Sequence, residues 1–377
     1  MPCIIKHNEQ ATCNGSTTNF PFRDLRSDTA TVPSPEMYQA MVSAQLGDDV
    51  FSEDPTVNAL ETRIAELTGM PAALFVTSST MSNQIAIRTH LQAPPASVLC
   101  HRNSHIFQWE SSGVAYHSQA QLIPVAPKDS INMKVQDVKG SFLEDDGNIH
   151  KAATKLITLE NTYNGVVMPI EDIREIRRFA NEKGVLVHLD GARLWNASVA
   201  SGISLAEYAK EADSINMCLS KGLGCPVGAV LVGSEEFIRK ARYYRKLFGG
   251  AWRQAGVLAA AALYAIDNIW PTMAATHKLT RRLLDGLVEL GFKPELPVET
   301  NMIILDASEA KVDMDELAKA LGERGIIIRT VYDGSFRIVT HHQIDNGCVD
   351  EVLSVANKLA AAQITPNIHA TLPSNGD

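Results

Sequence analysis

Two apolar runs each end on a residue able to do covalent or acid–base chemistry. Val185-Leu186-Val187-His188-Leu189 stops at Asp190-Gly191-Ala192-Arg193. Ser214-Ile215-Asn216-Met217-Cys218-Leu219 stops at Ser220-Lys221, followed by Gly222-Leu223-Gly224-Cys225-Pro226. Short apolar runs bounded by glycine and abrupt polarity predict buried strands. In an open α/β sheet, ligands lie beyond the carboxyl ends of the strands, so Asp190 and Lys221 would face one pocket. A carboxylate and an amine together suit pyridoxal phosphate. The lysine forms its Schiff base, and the aspartate pairs with the pyridinium nitrogen so that the ring stays an electron sink. Each residue also has a plainer role, Asp190 as a helix N-cap and Lys221 as a solvated loop residue. The glycines loosely match a dinucleotide loop, but their spacing is wrong and Pro226 stands where a helix should begin.

Other polar clusters fit the same pocket. Thr77-Ser78-Ser79-Thr80 follows the apolar run Ala73–Val76 and precedes a helix through Leu91. Hydroxyls at such a turn, with free backbone N–H groups and the helix dipole, make a phosphate cradle or else a plain capping cluster. A strand over 97–100 leads to His101-Arg102-Asn103-Ser104-His105, where a flat imidazole at His105 would lie on a cofactor ring. The two histidines follow a strand and lack a nearby acidic third ligand, so no metal site is expected. Arg26-Ser27-Asp28 would line a polar site, whereas Ser34 before Pro35 suits an N-cap. Arg337 stands between Phe336 and Ile338 on a strand, a place that wants a carboxylate partner such as a substrate's. The run Arg239, Lys240, Arg242, Arg245 and Lys246 is expected to be a solvated helix face, with Arg253 placed to reach an anion.

Strands and helices alternate from Ala73 to Gly233, which implies a mostly parallel sheet covered on both faces. After Trp270-Pro271 the pattern becomes helix (277–290), strand (302–305), helix (313–324), strands (326–329 and 336–340) and helix (349–361). The expected division is a flexible arm (1–19), a large cofactor-binding domain (20–271), a small C-terminal α+β domain (272–363) and a flexible tail (364–377). The 377 residues suffice for this, with 45% apolar and 20% charged residues as in ordinary globular enzymes. A net charge of −9 argues against wholesale nucleic-acid binding. No export signal or membrane span is expected, and the six scattered cysteines suit a reducing, cytoplasmic setting.

Several segments in order resemble one family, the L-threonine aldolase (β-eliminating lyase) group of fold-type I pyridoxal-phosphate enzymes. They include Asp24-Leu25-Arg26-Ser27-Asp28-Thr29, Gly47-Asp48-Asp49-Val50, Asp54-Pro55-Thr56 and Ser82-Asn83-Gln84. Further along are Leu159-Glu160-Asn161-Thr162, Asp190-Gly191-Ala192-Arg193, Leu219-Ser220-Lys221-Gly222-Leu223-Gly224, Arg253-Gln254 and Thr300-Asn301-Met302. The resemblance spans roughly residues 22 to 360 and is nearest to fungal members. It implies Lys221 as the Schiff-base lysine, Asp190 as the pyridinium partner and His105 stacked on the ring. It also implies a phosphate held by Ser78, Ser79 and Thr80, and by Arg253 of a neighbouring subunit. Ser27, Arg193 and Arg337 would bind the substrate carboxylate. The family's assembly implies a tetramer, a dimer of tight dimers with shared sites, the acidic loop lying near the partner's site.

Departures gather at the pocket. Phe51-Ser52 replaces a usual Tyr-Gly, Ser79 and Ala251 replace glycines, and Tyr163 stands where many members carry a histidine near the substrate's β-hydroxyl. The implied reaction is retro-aldol cleavage of L-threonine or L-allo-threonine to glycine and acetaldehyde. The alternative is an amino-acid racemase acting on alanine, with Lys221 and Tyr163 on opposite faces. A phenol makes a poor base at neutral pH, which leaves the base of the aldolase reading open.

Overall fold

A computed structural model describes residues 23–128, 131–330 and 336–364. The arm expected over 1–19 and the tail after Ile364 lie outside the described residues. Seven strands form the large sheet: β1 (Ala72–Val76), β2 (Ser97–His101), β3 (Gln121–Val125), β4 (Thr154–Glu160), β5 (Leu186–Gly191), β6 (Ser214–Cys218) and β7 (Ala229–Gly233). Their order across the sheet is β1-β7-β6-β5-β4-β2-β3, and only β7 runs against the rest. The carboxyl ends of β1, β2, β4, β5 and β6 therefore emerge on one edge, where the chemistry-bearing residues follow them. The fold is that of the fold-type I enzymes, a large mostly parallel sheet with a smaller antiparallel one.

The helices start where local chemistry tells them to. Ser34 caps α1 (Pro35–Val42) by accepting from the Met37 N–H, and Pro35 opens the first turn without wasting a donor. Asp54 caps α2 (Pro55–Thr68), and its second carboxylate oxygen accepts from the Gly256 N–H, tying two helices to one side chain. Ser78 caps α3 (Ser79–His90). Beyond β7 lie α4 (Glu235–Leu247), α5 (Gly256–Asn268) and α6 (Met273–Glu289). On α5, Ala259, Ala261, Ala262 and Ala265 are fully buried, so their small side chains bring that helix close to α1 and α2. Burial of Phe75, Trp195, Tyr208 and the aliphatic residues of β4 to β6 supplies the main hydrophobic core.

The second core gathers Leu283, Leu287, Ile303, Leu305, Leu317, Ile338 and Val352 around a four-stranded antiparallel sheet. That sheet comprises Lys293–Pro294, Met302–Asp306, Arg329–Thr330 and Phe336–Val339. The expected single strand over 326–329 is two pieces. Ile326–Ile327 leaves this sheet and pairs in parallel with Arg23–Asp24, and Leu25 joins the second core. The basic run also differs from expectation. Most of α4 is amphipathic, but Arg245 is buried, ion-paired to Asp49 at 2.7 Å and donating to the Phe75 carbonyl at 2.8 Å. It clamps the acidic loop to the sheet instead of facing solvent.

Candidate active site

Lys221 follows β6 and is half-buried. Its carbonyl accepts from the Thr31 hydroxyl at 3.1 Å and from the Gly224 N–H at 2.9 Å, which pins the backbone. Gly224 holds φ +73, and a Cβ there would strike His342, so the loop needs glycine at that place. The Lys221 amine makes no hydrogen bond or ion pair with the described residues. Its charge is nonetheless felt at Asp28, His105 and Glu160, three acids and bases drawn from separate strand ends.

Asp190 is a buried carboxylate with a full set of donors. Oδ1 accepts from Asn216 Nδ2 (2.9 Å) and the Ala192 N–H (3.1 Å), and Oδ2 from Asn83 Nδ2 (2.8 Å). Asn216 sits beside Asp190 in the β5–β6 register, so both side chains leave the same face. Such donors fix where the carboxylate points. His105 is half-buried, its Nδ1 on Glu110 Oε1 at 2.8 Å and its backbone N–H on Glu160 Oε2 at 2.9 Å. The Glu110 bond raises the imidazole's pKa against the opposing effect of burial. Burial and the neighbouring Asp190 charge push Glu160 up to about 7.

The phosphate loop divides its labour. The Ser78 hydroxyl is spent accepting from the Met81 N–H, and Thr80 is exposed. The Ser79 hydroxyl is buried without a partner at the first turn of α3, a donor waiting for an anion. Arg253 is exposed and pairs with Asp48 within its own chain at 2.8 Å.

The arginines expected at a substrate carboxylate are unlike each other. Arg193 gives Nε and Nη2 to the two oxygens of Asp28 at 2.8 and 2.6 Å. Asp28 is fully buried, with Asn301 Nδ2 at 3.3 Å as a further donor. Burial alone would raise the Asp28 carboxyl, but the Arg193 and Lys221 charges outweigh it and hold it at about 2. Among the described residues Arg337 has no such counter-ion: its Nη2 reaches only the Arg26 carbonyl at 3.3 Å, and its buried Nε has no partner. Ser27 accepts from the Thr29 N–H and hydroxyl and keeps its own O–H to give. Arg337→Ala is expected to raise KM for every amino-acid substrate about 10-fold or more with a smaller effect on kcat, which steady-state kinetics would measure.

Tyr163 is half-buried beside His101, ring centroids 4.8 Å apart. Asn103 Nδ2 donates to its hydroxyl oxygen at 3.2 Å, so the phenol's own proton is left to donate. The sequence reading gave no role to Asn83, Glu110, Glu160, His188 or Asn216. A signal existed for two of them: His188 and Asn216 are polar residues inside runs otherwise apolar and fully buried.

A family model described as beta-eliminating lyase matches residues 24–310. The chain belongs to the β-eliminating lyase family. A low-specificity L-threonine aldolase of Candida albicans is 44% identical to this chain over 346 residues, 90% of this chain and 91% of the relative. One from Saccharomyces cerevisiae is 41% identical over 330 residues, 87% of this chain and 84% of the relative. Among solved structures, a threonine aldolase of Leishmania major shares the fold with a TM-score of 0.77 at 20% identity, covering 89% of this chain and 99% of that one. The family implies pyridoxal phosphate. The pocket of this chain fits it, with an amine free of partners among the described residues, an amide-held carboxylate and an orphaned hydroxyl at a helix N-terminus.

Proposed function

We propose that this chain is a pyridoxal-phosphate-dependent lyase that cleaves L-threonine and L-allo-threonine to glycine and acetaldehyde. The observation that carries the reading is the 44% identity, over nearly the whole chain, to a low-specificity L-threonine aldolase. When bound, the cofactor supplies an electron sink at Cα. Every remaining task falls to side chains already described. Lys221 offers the amine that anchors the cofactor. Asp190 holds a proton on the ring nitrogen, and its three donors keep it from drifting. His105 covers the ring, steadied by Glu110. Ser79 and the first N–H groups of α3 take the phosphate, joined by Thr80 and by Arg253 of a second copy.

Arg337 and Ser27 grip the substrate carboxylate and so orient Cα, with the Arg193–Asp28 pair as the floor beneath them. Tyr163, its oxygen already occupied by Asn103, donates a hydrogen bond to the oxygen on Cβ, keeping its own proton, and so steadies the charge that builds there as the aldehyde departs. Removal of the β-hydroxyl proton then falls to a water or His105. Exposed Tyr38, Val42, Leu46 and Phe51 near one another in sequence, with Tyr243 and Leu247 on α4, support a homo-oligomer, a tetramer assembled as a dimer of dimers with shared sites. The free, buried Cys100, Cys218, Cys225 and Cys348 support a cytoplasmic setting.

Proton NMR in D₂O, with L-threonine and L-alanine in separate tubes, tests the proposal. Glycine and acetaldehyde are expected from threonine, with the alanine α-proton slow to exchange. Rapid loss of that α-proton, with D-alanine on a chiral column, would favour the racemase instead. Tyr163→Phe is expected to lower aldolase kcat about 10-fold, whereas a racemase using this phenol as its second acid would lose about 10² or more.

A further inference from the structure

Behind the pocket, a row of buried polar side chains ends on Asp190. Asn83 Nδ2 donates to Asp190 Oδ2 at 2.8 Å and to Glu110 Oε1 at 2.9 Å. Two carboxylates can only accept, so the Asn83 amide must turn its nitrogen toward them and its oxygen away. That oxygen lies 3.1 Å from His188 Nε2, which must then carry the proton. His188 Nδ1, left bare, lies 2.8 Å from Ser214 Oγ and takes the hydroxyl proton. Ser214 Oγ in turn lies 2.7 Å from His90 Nε2, which donates to it.

Each donor in the row therefore points toward Asp190, and no link can be reversed without setting two acceptors face to face. Burial pushes His188 down to about 4 and His90 down to about 3, so both rings are neutral at working pH, as this order requires. The sequence builds the row from two periodicities. Asn83 and His90 are seven apart on α3, two turns along one face, and His188 and Ser214 are direct neighbours in the β5–β6 register. His90 is held at the far end by stacking on Phe237 at 4.5 Å.

We propose that His188, backed by Ser214 and His90, is a positioning residue that locks the Asn83 amide so that one side chain steadies both Asp190 and Glu110. With pyridoxal phosphate bound, Asp190 would pair with its ring nitrogen and His105, oriented by Glu110, would lie against its ring. One amide thus joins the two side chains that would hold the cofactor into a single frame. This rests on the pyridoxal-phosphate reading above. Aligned hydrogen bonds in a low-dielectric interior polarise one another, so the lock acts through donor direction and not through bulk.

Two polar variants separate direction from packing. The terminal amide of His188→Gln reaches the place of Nε2 and can still donate to Asn83. That of His188→Asn reaches only the place of Nδ1 and cannot. The readouts are the rate at which holoenzyme loses pyridoxal phosphate to a trap, and kcat and KM for threonine. His188→Gln is expected to stay within a few-fold of the parent. His188→Asn is expected to release the cofactor about 10-fold faster or more, the scale of other outer-layer supports, with kcat falling more than KM rises. In an Asn83→Ala background the gap between the two variants is expected to close. Equal behaviour of the two variants, or a gap that persists without Asn83, would overturn the inference. If the parent holoenzyme lacks pyridoxal-phosphate absorbance, the underlying cofactor reading fails instead.

Discussion

Lys221→Ala loses threonine cleavage by roughly 10³-fold or more, and the visible absorbance band of the lysine-bound cofactor disappears. The expectation rests on how this one amine is placed. Its backbone carbonyl is pinned from two sides by Thr31 and Gly224, yet the side chain is tied to no described group. A structural lysine in such a polar neighbourhood would have closed on Asp28 or Glu160; this one is kept free. Lys221→Arg separates charge from covalent chemistry, because guanidinium keeps the positive field at Asp28, His105 and Glu160 but does not form the imine at neutral pH. It is expected to lose activity as fully as the alanine variant. An unchanged spectrum in either variant would show that another amine holds the cofactor.

Asp28→Asn costs stability, about 3–5 kcal/mol, because it strands the Arg193 guanidinium in the interior. That is a large share of the 5–15 kcal/mol typical of a folded protein. The cost should also depend on pH in a definite sense. Asp28 is held at about 2, below its ordinary value, so its contribution is fully present above the usual carboxylate range and is lost as pH falls through about 2. Urea midpoints for parent and variant should therefore lie far apart at pH 6 and converge toward pH 2. A gap independent of pH would mean that the ion pair is not its source. The same substitution frees Arg193, so KM for threonine reports whether one guanidinium or two can meet the substrate carboxylate.

Much of this molecule is local in origin. Apolar runs that stop at Asp190 and Lys221 fix both the strands and the ends from which the chemistry projects, because alternation and run length depend only on neighbours in the chain. The caps at Ser34, Asp54 and Ser78 are local for the same reason. The helix Ile170–Lys183 is local too, with Ile173, Ile176, Phe179 and Ala180 recurring at helical spacing on its buried face.

What the linear pattern cannot carry is the identity of partners. Arg193, expected at the substrate carboxylate, is also held by Asp28, 165 residues away, a partner no local pattern names. Asn83 acquired its role only when the fold brought α3, 107 residues earlier, over Asp190. Arg245 looked solvated until Asp49 was folded onto it, and Ile326–Ile327 found its strand partner at Arg23–Asp24. Periodicity states which face of an element is buried, whereas topology and sheet register choose the group that lies opposite. The sequence by itself determined the family, the strand-end lysine and aspartate, and the cofactor they suit. The tertiary structure alone decided which charges are set against each other, as Arg193 against Asp28 and Arg245 against Asp49, because a buried charge must be compensated by whatever the fold brings within reach.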